Sequence, residues 1–264
     1  MPGEQGQLGL GGPAAITEER RAAFDVDRTP RAIPRQVYAE LAPELGRGIT
    51  TKWGSSCAAP RRILIPAAGS GPWAAEARER WPDAEITAVE IRAEERPQLT
   101  RVCDHVITAD IREVTAHRAL AGEPFDLVAD NPPFSMLPRN GCAHARLSKD
   151  GSRCQLCGER KSQAEALRAY VANLRPLLAP GGLLALYWLD DLGQRATGED
   201  ARALWDQHRP LYQLRVQPVE HREGRGVDLR SYSVWVWDRE PVPCRRWSTW
   251  DLPALPKAER RWAP

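Results

Sequence analysis

Short apolar runs alternate with helical patterns from Arg62 onward, and this alternation restricts the fold more than any other feature of the sequence. The predicted strands are Arg62–Pro66, Glu85–Glu90, Asp104–Thr108, Phe125–Ala129 and Leu183–Leu189. The predicted helices are Pro72–Trp81, Ala93–Arg101 and Ser162–Leu178, the last of them ended by Pro180-Gly181-Gly182. Strands and helices that alternate at this spacing predict a mostly parallel sheet with helices on both faces.

The two ends of the chain extend this pattern. After Thr29-Pro30, apolar residues recur every four positions and predict a helix. These apolar residues are Ile33, Val37 and Leu41. Near the other end, Leu211–Gln217 and Leu229–Trp237 predict an antiparallel hairpin. We expect a disordered leader over residues 1–24, a single domain over 25–250 and a C-terminal tail over 251–264.

Length and composition exclude several classes of protein. A chain of 264 residues is long enough to fold without disulfides or metals. Its longest apolar run, Leu183–Leu189, is too short to cross a membrane. Residues 1–13 are Gly-rich and lack the basic and apolar regions of a secretory signal, so we expect a cytoplasmic protein with reduced cysteines. A formal net charge of +2 argues against a generally basic protein that coats nucleic acid, but it allows a local basic groove.

A glycine-containing corner after the first predicted strand is a candidate ligand site. Pro66–Gly71 lies between a strand and a helix, where the backbone can approach a ligand at the strand ends of an open α/β sheet. Glu90 ends the next strand, where its carboxylate could accept both hydroxyl groups of a ribose or stabilise the start of the following helix. Asp110 follows the third strand and could accept an adenine amino group or cap a helix.

The most informative motif is Asp130-Asn131-Pro132-Pro133-Phe134, which directly follows an apolar run. Two prolines fix the backbone and remove two amide donors, so carbonyl groups near Asn131 and Pro132 face outward with no neighbouring donor. An exocyclic amine that donates to the Asn131 side chain and the Pro132 carbonyl becomes more tetrahedral and can attack an electrophile. Phe134 offers a ring on which a planar substrate can stack. A rigid turn would explain the prolines, but not the asparagine and the aromatic residue together.

These residues together resemble the class I S-adenosylmethionine-dependent amino-methyltransferases, particularly the phage and prophage type of DNA adenine-N6 methyltransferase. The resemblance covers most of residues 29–250 and implies a Rossmann-like α/β fold with a mostly parallel seven-stranded sheet and an antiparallel C-terminal hairpin. It implies that the catalytic residues are Asn131, Pro132, Pro133 and Phe134. It implies that the residues in contact with S-adenosylmethionine are Thr29, Pro30, Pro66, Ala67, Gly69, Gly71, Glu90, Asp110 and Asn131.

The resemblance also implies a reaction, the transfer of a methyl group to the N6 amino group of an adenine flipped out of DNA. One departure concerns Ile65, because the family usually has an acidic residue before the proline of the glycine corner. That departure affects the contact with the amino group of the cofactor's methionine part. Three alternatives stay open: methylation of guanine N2 in RNA, methylation of a glutamine amide in protein, and an inactive module that binds the cofactor and nucleic acid.

A cysteine-containing insertion over residues 139–161 follows the motif. Its candidate metal ligands are Cys142, His144, Cys154 and Cys157. A Cys-x-His pair and a Cys-x2-Cys turn match a closed tetrahedral zinc site, and four protein ligands leave no open position for catalysis. We therefore predict a structural Zn²⁺, with unrelated reduced cysteines as the alternative. Six basic and two acidic side chains give the insertion a charge of 6 − 2 = +4 before thiolates are counted. We therefore expect it to contact the phosphates of DNA or of RNA. The sequence predicts no membrane partner and leaves the oligomeric state open.

Overall fold

The structure is a computed structural model that describes residues 29–42, 45, 59–111, 120, 122–132, 163–189, 206–216, 232–239 and 248–255. The predicted leader over residues 1–24 and the predicted zinc insertion over residues 139–161 both lie outside the described residues. No helix within the described ranges is long and apolar enough to cross a membrane.

The described strands form one mixed sheet in the order β3-β2-β1-β4-β5-β7-β6-β8. Its strands are β1 (Arg62–Ile65), β2 (Glu85–Glu90), β3 (His105–Thr108), β4 (Phe125–Asp130), β5 (Leu178–Leu189), β6 (Tyr212–Val216), β7 (Tyr232–Asp238) and β8 (Ser248–Asp251). Strand β7 runs antiparallel to both β5 and β6, whereas the other pairings among the described strands are parallel. The predicted parallel sheet with an antiparallel C-terminal hairpin is confirmed.

Strand β8 is an addition to the seven strands that the sequence predicts. It pairs in parallel with β6, from Tyr212 opposite Ser248 to Arg215 opposite Asp251. Leu252 follows this strand and is buried, with 3% of its surface exposed. Packing therefore continues beyond residue 250, where we placed the end of the domain.

Two apolar cores lie on opposite faces of the sheet. The first contains helix α1 (Ala32–Leu41) and helix α2 (Pro72–Arg80). The second contains helix α4 (Gln163–Leu174), and a short helix α3 (Arg96–Leu99) connects β2 to β3. The three apolar residues that predicted α1 are fully buried, which confirms that prediction. Helix α1 is further held to α2 by Tyr38, whose ring contacts Trp73 edge to face and whose hydroxyl donates to the Trp73 carbonyl at 3.1 Å.

Two predicted helices are shorter in the structure than in the sequence analysis. Residues Ala93–Glu95 form a 3₁₀ turn, and α3 then begins at Arg96 with Pro97 in its first turn. A proline has no amide to donate to the preceding turn, so a continuous helix over Ala93–Arg101 does not form. Helix α4 likewise ends at Leu174, and a 3₁₀ turn over Arg175–Leu177 follows it.

We predicted that Pro180-Gly181-Gly182 ends a helix, and this prediction was wrong. The segment lies inside β5. Pairing between β4 and β5 shifts between Phe125 and Leu127, and Gly181 has a φ of 78°. A Cβ atom on Gly182 would lie 2.7 Å from the Phe125 carbonyl oxygen. The glycines therefore allow β5 to bend closely past β4 without interrupting the strand.

Candidate cofactor and amine site

The carboxyl ends of β1, β2 and β4 meet at one edge of the sheet. Strand β1 pairs in parallel with both β2 and β4, so the three segments that follow these strands are neighbours. They are the glycine corner at Pro66–Gly71, the residues around Glu90, and Asp130-Asn131-Pro132. Ligands of open α/β sheets bind at such an edge, and we call this region the carboxyl edge.

The glycine corner forms the tight turn that the sequence predicts. The Gly71 amide donates to the Ala68 carbonyl at 2.9 Å, and the Ala68 amide donates to the Val89 carbonyl at 2.9 Å. Gly71 directly precedes α2 with a φ of 87°, a left-handed conformation that side chains rarely adopt. A Cβ atom there would also lie 3.0 Å from Leu99. The turn is thus fixed by its glycines and tied to the end of β2.

Glu90 is buried and binds the glycine corner directly. Its Oε2 atom accepts the Gly69 amide at 2.7 Å. Its Oε1 atom accepts both the amide and the Nε of Arg92, at 3.0 and 2.8 Å. Arg92 also pairs with Glu95 at 3.0 Å, and 13% of the Arg92 side chain is exposed. Arg92 was not among the predicted site residues. Its position two residues after Glu90 is the feature of the sequence that could have indicated this contact.

The hydrogen bonds of Glu90 restrict how it could bind a ribose. Each carboxylate oxygen has two lone pairs, and Oε1 already accepts two donors from Arg92. Oε2 accepts one donor, from Gly69, and keeps one lone pair. In this conformation Glu90 can accept a single ribose hydroxyl, and acceptance of both requires the Arg92 side chain to move.

Asn131 and Thr29 are brought together although 102 residues separate them. The Asn131 Nδ2 atom donates to the Thr29 hydroxyl oxygen at 2.9 Å. Thr29 is 4% exposed, and the adjacent Pro30 carbonyl accepts the Ile33 amide at the start of α1. With Nδ2 directed to Thr29, the Oδ1 atom is the acceptor end of the Asn131 amide. Pro132, next in the motif, is buried.

Asp130 directly precedes this asparagine in the sequence and has no exposed surface. Its Oδ2 atom accepts the Tyr170 hydroxyl of α4 at 2.5 Å. Its Oδ1 atom makes no hydrogen bond in the described part of the chain. Asp130 is part of the motif, but the sequence predicts no separate role for it, and Tyr170 is not among the predicted site residues.

Burial controls the titration of this pair. Burial raises the pKa of Asp130 well above its usual range, and the negative charge of Glu90 adds to that effect. Hydrogen bonding by Tyr170 and the nearby amides of Asn131 and Ala67 oppose the rise without cancelling it. Burial likewise raises the pKa of Tyr170, and the Asp130 carboxyl raises it further. Burial at the carboxyl edge therefore shifts the titration of Asp130 toward the neutral acid.

The remaining predicted site residues divide into two groups. Asp110 is described and lies close enough to Tyr170 to influence its pKa. The other group lies outside the described residues and consists of Pro133, Phe134, Cys142, His144, Cys154 and Cys157. Within the described ranges, no group of three or more His, Cys, Asp or Glu side chains could hold a metal ion. The zinc site stays a prediction.

Comparison with known proteins supports the fold and gives a partial sequence relative. The release factor glutamine methyltransferase of Salmonella typhimurium is 29% identical over 129 residues, which are 47% of this chain and 45% of that protein. The chain thus matches about half the length of this curated relative. No protein-family model matches the chain.

Two solved structures resemble the whole fold. A Listeria monocytogenes protein described as a class I S-adenosylmethionine-dependent methyltransferase has a TM-score of 0.51 at 15% identity, over 82% of this chain and 64% of that one. The M protein of the type I restriction enzyme EcoKI has a TM-score of 0.50 at 16% identity, over 88% of this chain and 50% of that one. The chain has the Rossmann-like fold of the class I S-adenosylmethionine-dependent methyltransferases.

Proposed function

We propose that the protein is an S-adenosylmethionine-dependent methyltransferase that modifies an exocyclic amine, namely the N6 amino group of adenine in DNA. The observation that carries this proposal is the placement of Asn131, whose amide is oriented by Thr29 at 2.9 Å beside the glycine corner. A hydrogen-bond acceptor fixed at this edge can hold an amine next to a cofactor bound over the corner.

In the proposed reaction the chain acts mainly by alignment. The Asn131 Oδ1 atom and the Pro132 carbonyl accept the two hydrogens of the amine and direct its lone pair outward. Bound S-adenosylmethionine supplies an electrophilic methyl group on a sulfonium. Because the proton can leave after transfer, the site needs no strong general base, and the rate gain comes from orientation. Phe134 completes this proposal as the ring on which the adenine stacks.

DNA is the proposed substrate for two reasons. The fold resembles a restriction-modification M protein, and the insertion over residues 139–161 has a charge of +4 before thiolates are counted. Basic side chains that contact phosphates position nucleic acid without reading its sequence. We propose that Zn²⁺, bound by Cys142, His144, Cys154 and Cys157, keeps this insertion rigid beside the site.

A second candidate substrate is a glutamine amide in a protein. The similarity to release factor glutamine methyltransferase favours it, because that relative is matched over 47% of this chain. A primary amide and an adenine amino group are both planar and present two hydrogens, so the same pair of acceptors could orient either one.

One labelling experiment separates these substrates. Purified protein is incubated with S-adenosylmethionine carrying a deuterated methyl group and with DNA, RNA or total protein in turn. Mass spectrometry of the digests is expected to show labelled N6-methyladenine from DNA. Labelled N2-methylguanine from RNA or labelled methylglutamine would replace the proposed substrate, and absence of label from all three would contradict the proposed activity. The zinc proposal is tested by metal analysis of the same preparation.

A further inference from the structure

S-adenosylmethionine carries an ammonium group on its methionine part, and a site that encloses this cation needs an acceptor or an anion for it. The end of β1 provides no charge, because Ile65 is apolar and fully buried. A partner for the ammonium group therefore has to come from a neighbouring segment of the carboxyl edge.

Asp130 is the carboxyl group in the right place. In the pairing of β1 with β4, Leu64 lies opposite Val128, so two residues further along Asp130 lies beside Pro66 at the start of the glycine corner. The backbone amide of Ala67 lies close enough to influence the pKa of the Asp130 carboxyl. This carboxyl is therefore beside the segment over which the cofactor is proposed to lie.

Asp130 also differs from the other buried carboxyl groups of the described residues in having no cation. Glu76 is 3% exposed and pairs with Arg31 at 2.8 Å and Arg35 at 3.1 Å. Glu90 is 6% exposed and pairs with Arg92 at 2.8 Å. Asp130 is 0% exposed, forms no ion pair within the described ranges, and leaves Oδ1 without a hydrogen bond. A buried carboxylate usually has a charged partner, and no described side chain supplies one to Asp130.

We propose that Asp130 binds the ammonium group of the cofactor through Oδ1, while Tyr170 holds Oδ2. The proposal rests on the proposed function, since it assumes that S-adenosylmethionine occupies the carboxyl edge. It assigns to β4 the charge that β1 does not provide at Ile65. It also makes Asp130 and Asn131 a pair in which one residue holds the cofactor and the next holds the amine.

The titration of the site fits this role. Among the described residues, the titratable side chains whose charge acts on Asp130 or responds to it are Glu90, Tyr170 and Tyr38, and none of these three is a cation. Burial and the charge of Glu90 raise the pKa of the Asp130 carboxyl, so a cation beside it would stabilise the carboxylate. An arriving ammonium group favours the carboxylate, and the displaced proton passes to the solvent.

The test compares two ligands that differ only in the amino group. Titration calorimetry measures the Kd of S-adenosylhomocysteine and of its deaminated analogue with the full chain. The wild-type protein is expected to bind the amino form about 10- to 100-fold more tightly, as for a hydrogen bond to a charged group. Asp130→Asn is expected to remove most of this preference and to leave the Kd of the deaminated analogue within about 2-fold.

The matched control is Asp126→Asn, on the same strand at its opposite end, where Asp126 accepts the Arg61 and Arg62 amides. It should keep the full preference. Equal affinity of the wild-type protein for both ligands would overturn the proposal, and this result does not depend on the folding of any variant. An unchanged preference in Asp130→Asn would overturn it as well. If the wild-type protein binds neither ligand, the cofactor assignment in the proposed function fails, and this inference fails with it.

Discussion

The two edges of the sheet satisfy their charged groups in different ways. At the amino edge, where the parallel strands begin, Arg78 of α2 donates to Asp104 at 2.6 Å, and the Asp104 side chain is 45% exposed. Burial would raise the pKa of Asp104, but the Ile86 amide and Arg78 together lower it. At the carboxyl edge, Asp130 is fully buried and its described partner is a neutral hydroxyl, that of Tyr170.

This difference separates stability from function. Carboxylates at the amino edge have donors and cations from the chain itself, so they hold segments together and have little capacity left for a ligand. At the carboxyl edge Glu90 has the cation Arg92, whereas Asp130 is held by the Tyr170 hydroxyl and its Oδ1 atom makes no hydrogen bond within the described residues. Substitutions at the amino edge should change the free energy of unfolding, whereas those at the carboxyl edge should change binding or turnover.

The largest expected effect is that of Asn131→Ala. Removal of the oriented acceptor should lower kcat by at least about 100-fold, because the amine loses its alignment with the methyl group. The Kd of S-adenosylhomocysteine should change by less than about 2-fold, since the other proposed cofactor contacts, from the glycine corner and Glu90, remain. Single-turnover methylation and calorimetry on the same preparation measure the two effects. Activity close to wild type would contradict the proposed mechanism.

Thr29→Val is expected to have the next largest effect. Valine has nearly the shape of threonine but cannot accept the Asn131 Nδ2 hydrogen bond of 2.9 Å, so the amide can rotate. We expect kcat to fall by about 10-fold while the KM of the cofactor stays nearly constant. Thr29→Ser keeps the hydroxyl and should restore kcat. A higher KM with an unchanged kcat would instead show that Thr29 contacts the cofactor and does not position Asn131.

Arg92→Ala should have a smaller effect, in the opposite direction. Loss of the guanidinium frees a lone pair on Glu90 Oε1, so both ribose hydroxyls can bind without displacing an ion pair. We expect S-adenosylhomocysteine to bind about 3-fold more tightly, as measured by calorimetry. Arg96→Ala, which removes a donor to the Val106 carbonyl, is the control and should leave the Kd unchanged. Weaker binding by Arg92→Ala would show that Arg92 itself supports the cofactor.

The smallest expected effect concerns His208 at the amino edge. Its Nδ1 lies 3.3 Å from the Arg175 guanidinium, and burial together with Arg175 and Arg168 lowers the pKa of His208. In the unfolded chain His208 binds a proton below a pH of about 6.5, whereas in the folded chain it does so only at lower pH. The free energy of unfolding therefore decreases as the pH falls below that value. His208→Asn keeps an acceptor without the titration. Between pH 7.5 and 5.5 the Tm of this variant should fall by about 2 °C less than the Tm of the wild type. An identical fall in Tm for both proteins would contradict the assignment of this pH dependence to His208.

The arrangement of the sheet could be predicted because its signal is local. Strands β1 to β5 contain apolar runs that lie next to helical patterns in the sequence, and β2 matches its predicted range, Glu85–Glu90. Strand β8 could not be found in this way, because the four residues Ser248–Asp251 have no alternating pattern and depend on pairing with β6. The misplaced boundary at Pro180-Gly181-Gly182 has a similar cause, since only the approach of β4 explains glycine inside a strand.

The candidate site could be predicted in part. Asn131 and Glu90 stand at the ends of apolar runs, and that position is visible in the sequence. The partners of these residues are not visible, because Thr29 lies 102 residues from Asn131 and Tyr170 lies 40 residues from Asp130. The signal that could have identified Asp130 was an acidic residue at the end of a fully apolar strand, where a buried charge is costly without a partner.

The helix that carries Thr29 to the site rests on residues from the other end of the sequence. The Gln36 amide of α1 donates to the Pro253 carbonyl at 2.8 Å, and Leu252 and Leu255 belong to the same apolar core as α1. This contact joins residues that are 217 positions apart in the sequence, so the packing of α1 depends on long-range contacts. The helix that leads from Thr29 is therefore packed by residues from both ends of the described chain, α2 on one side and the segment after β8 on the other.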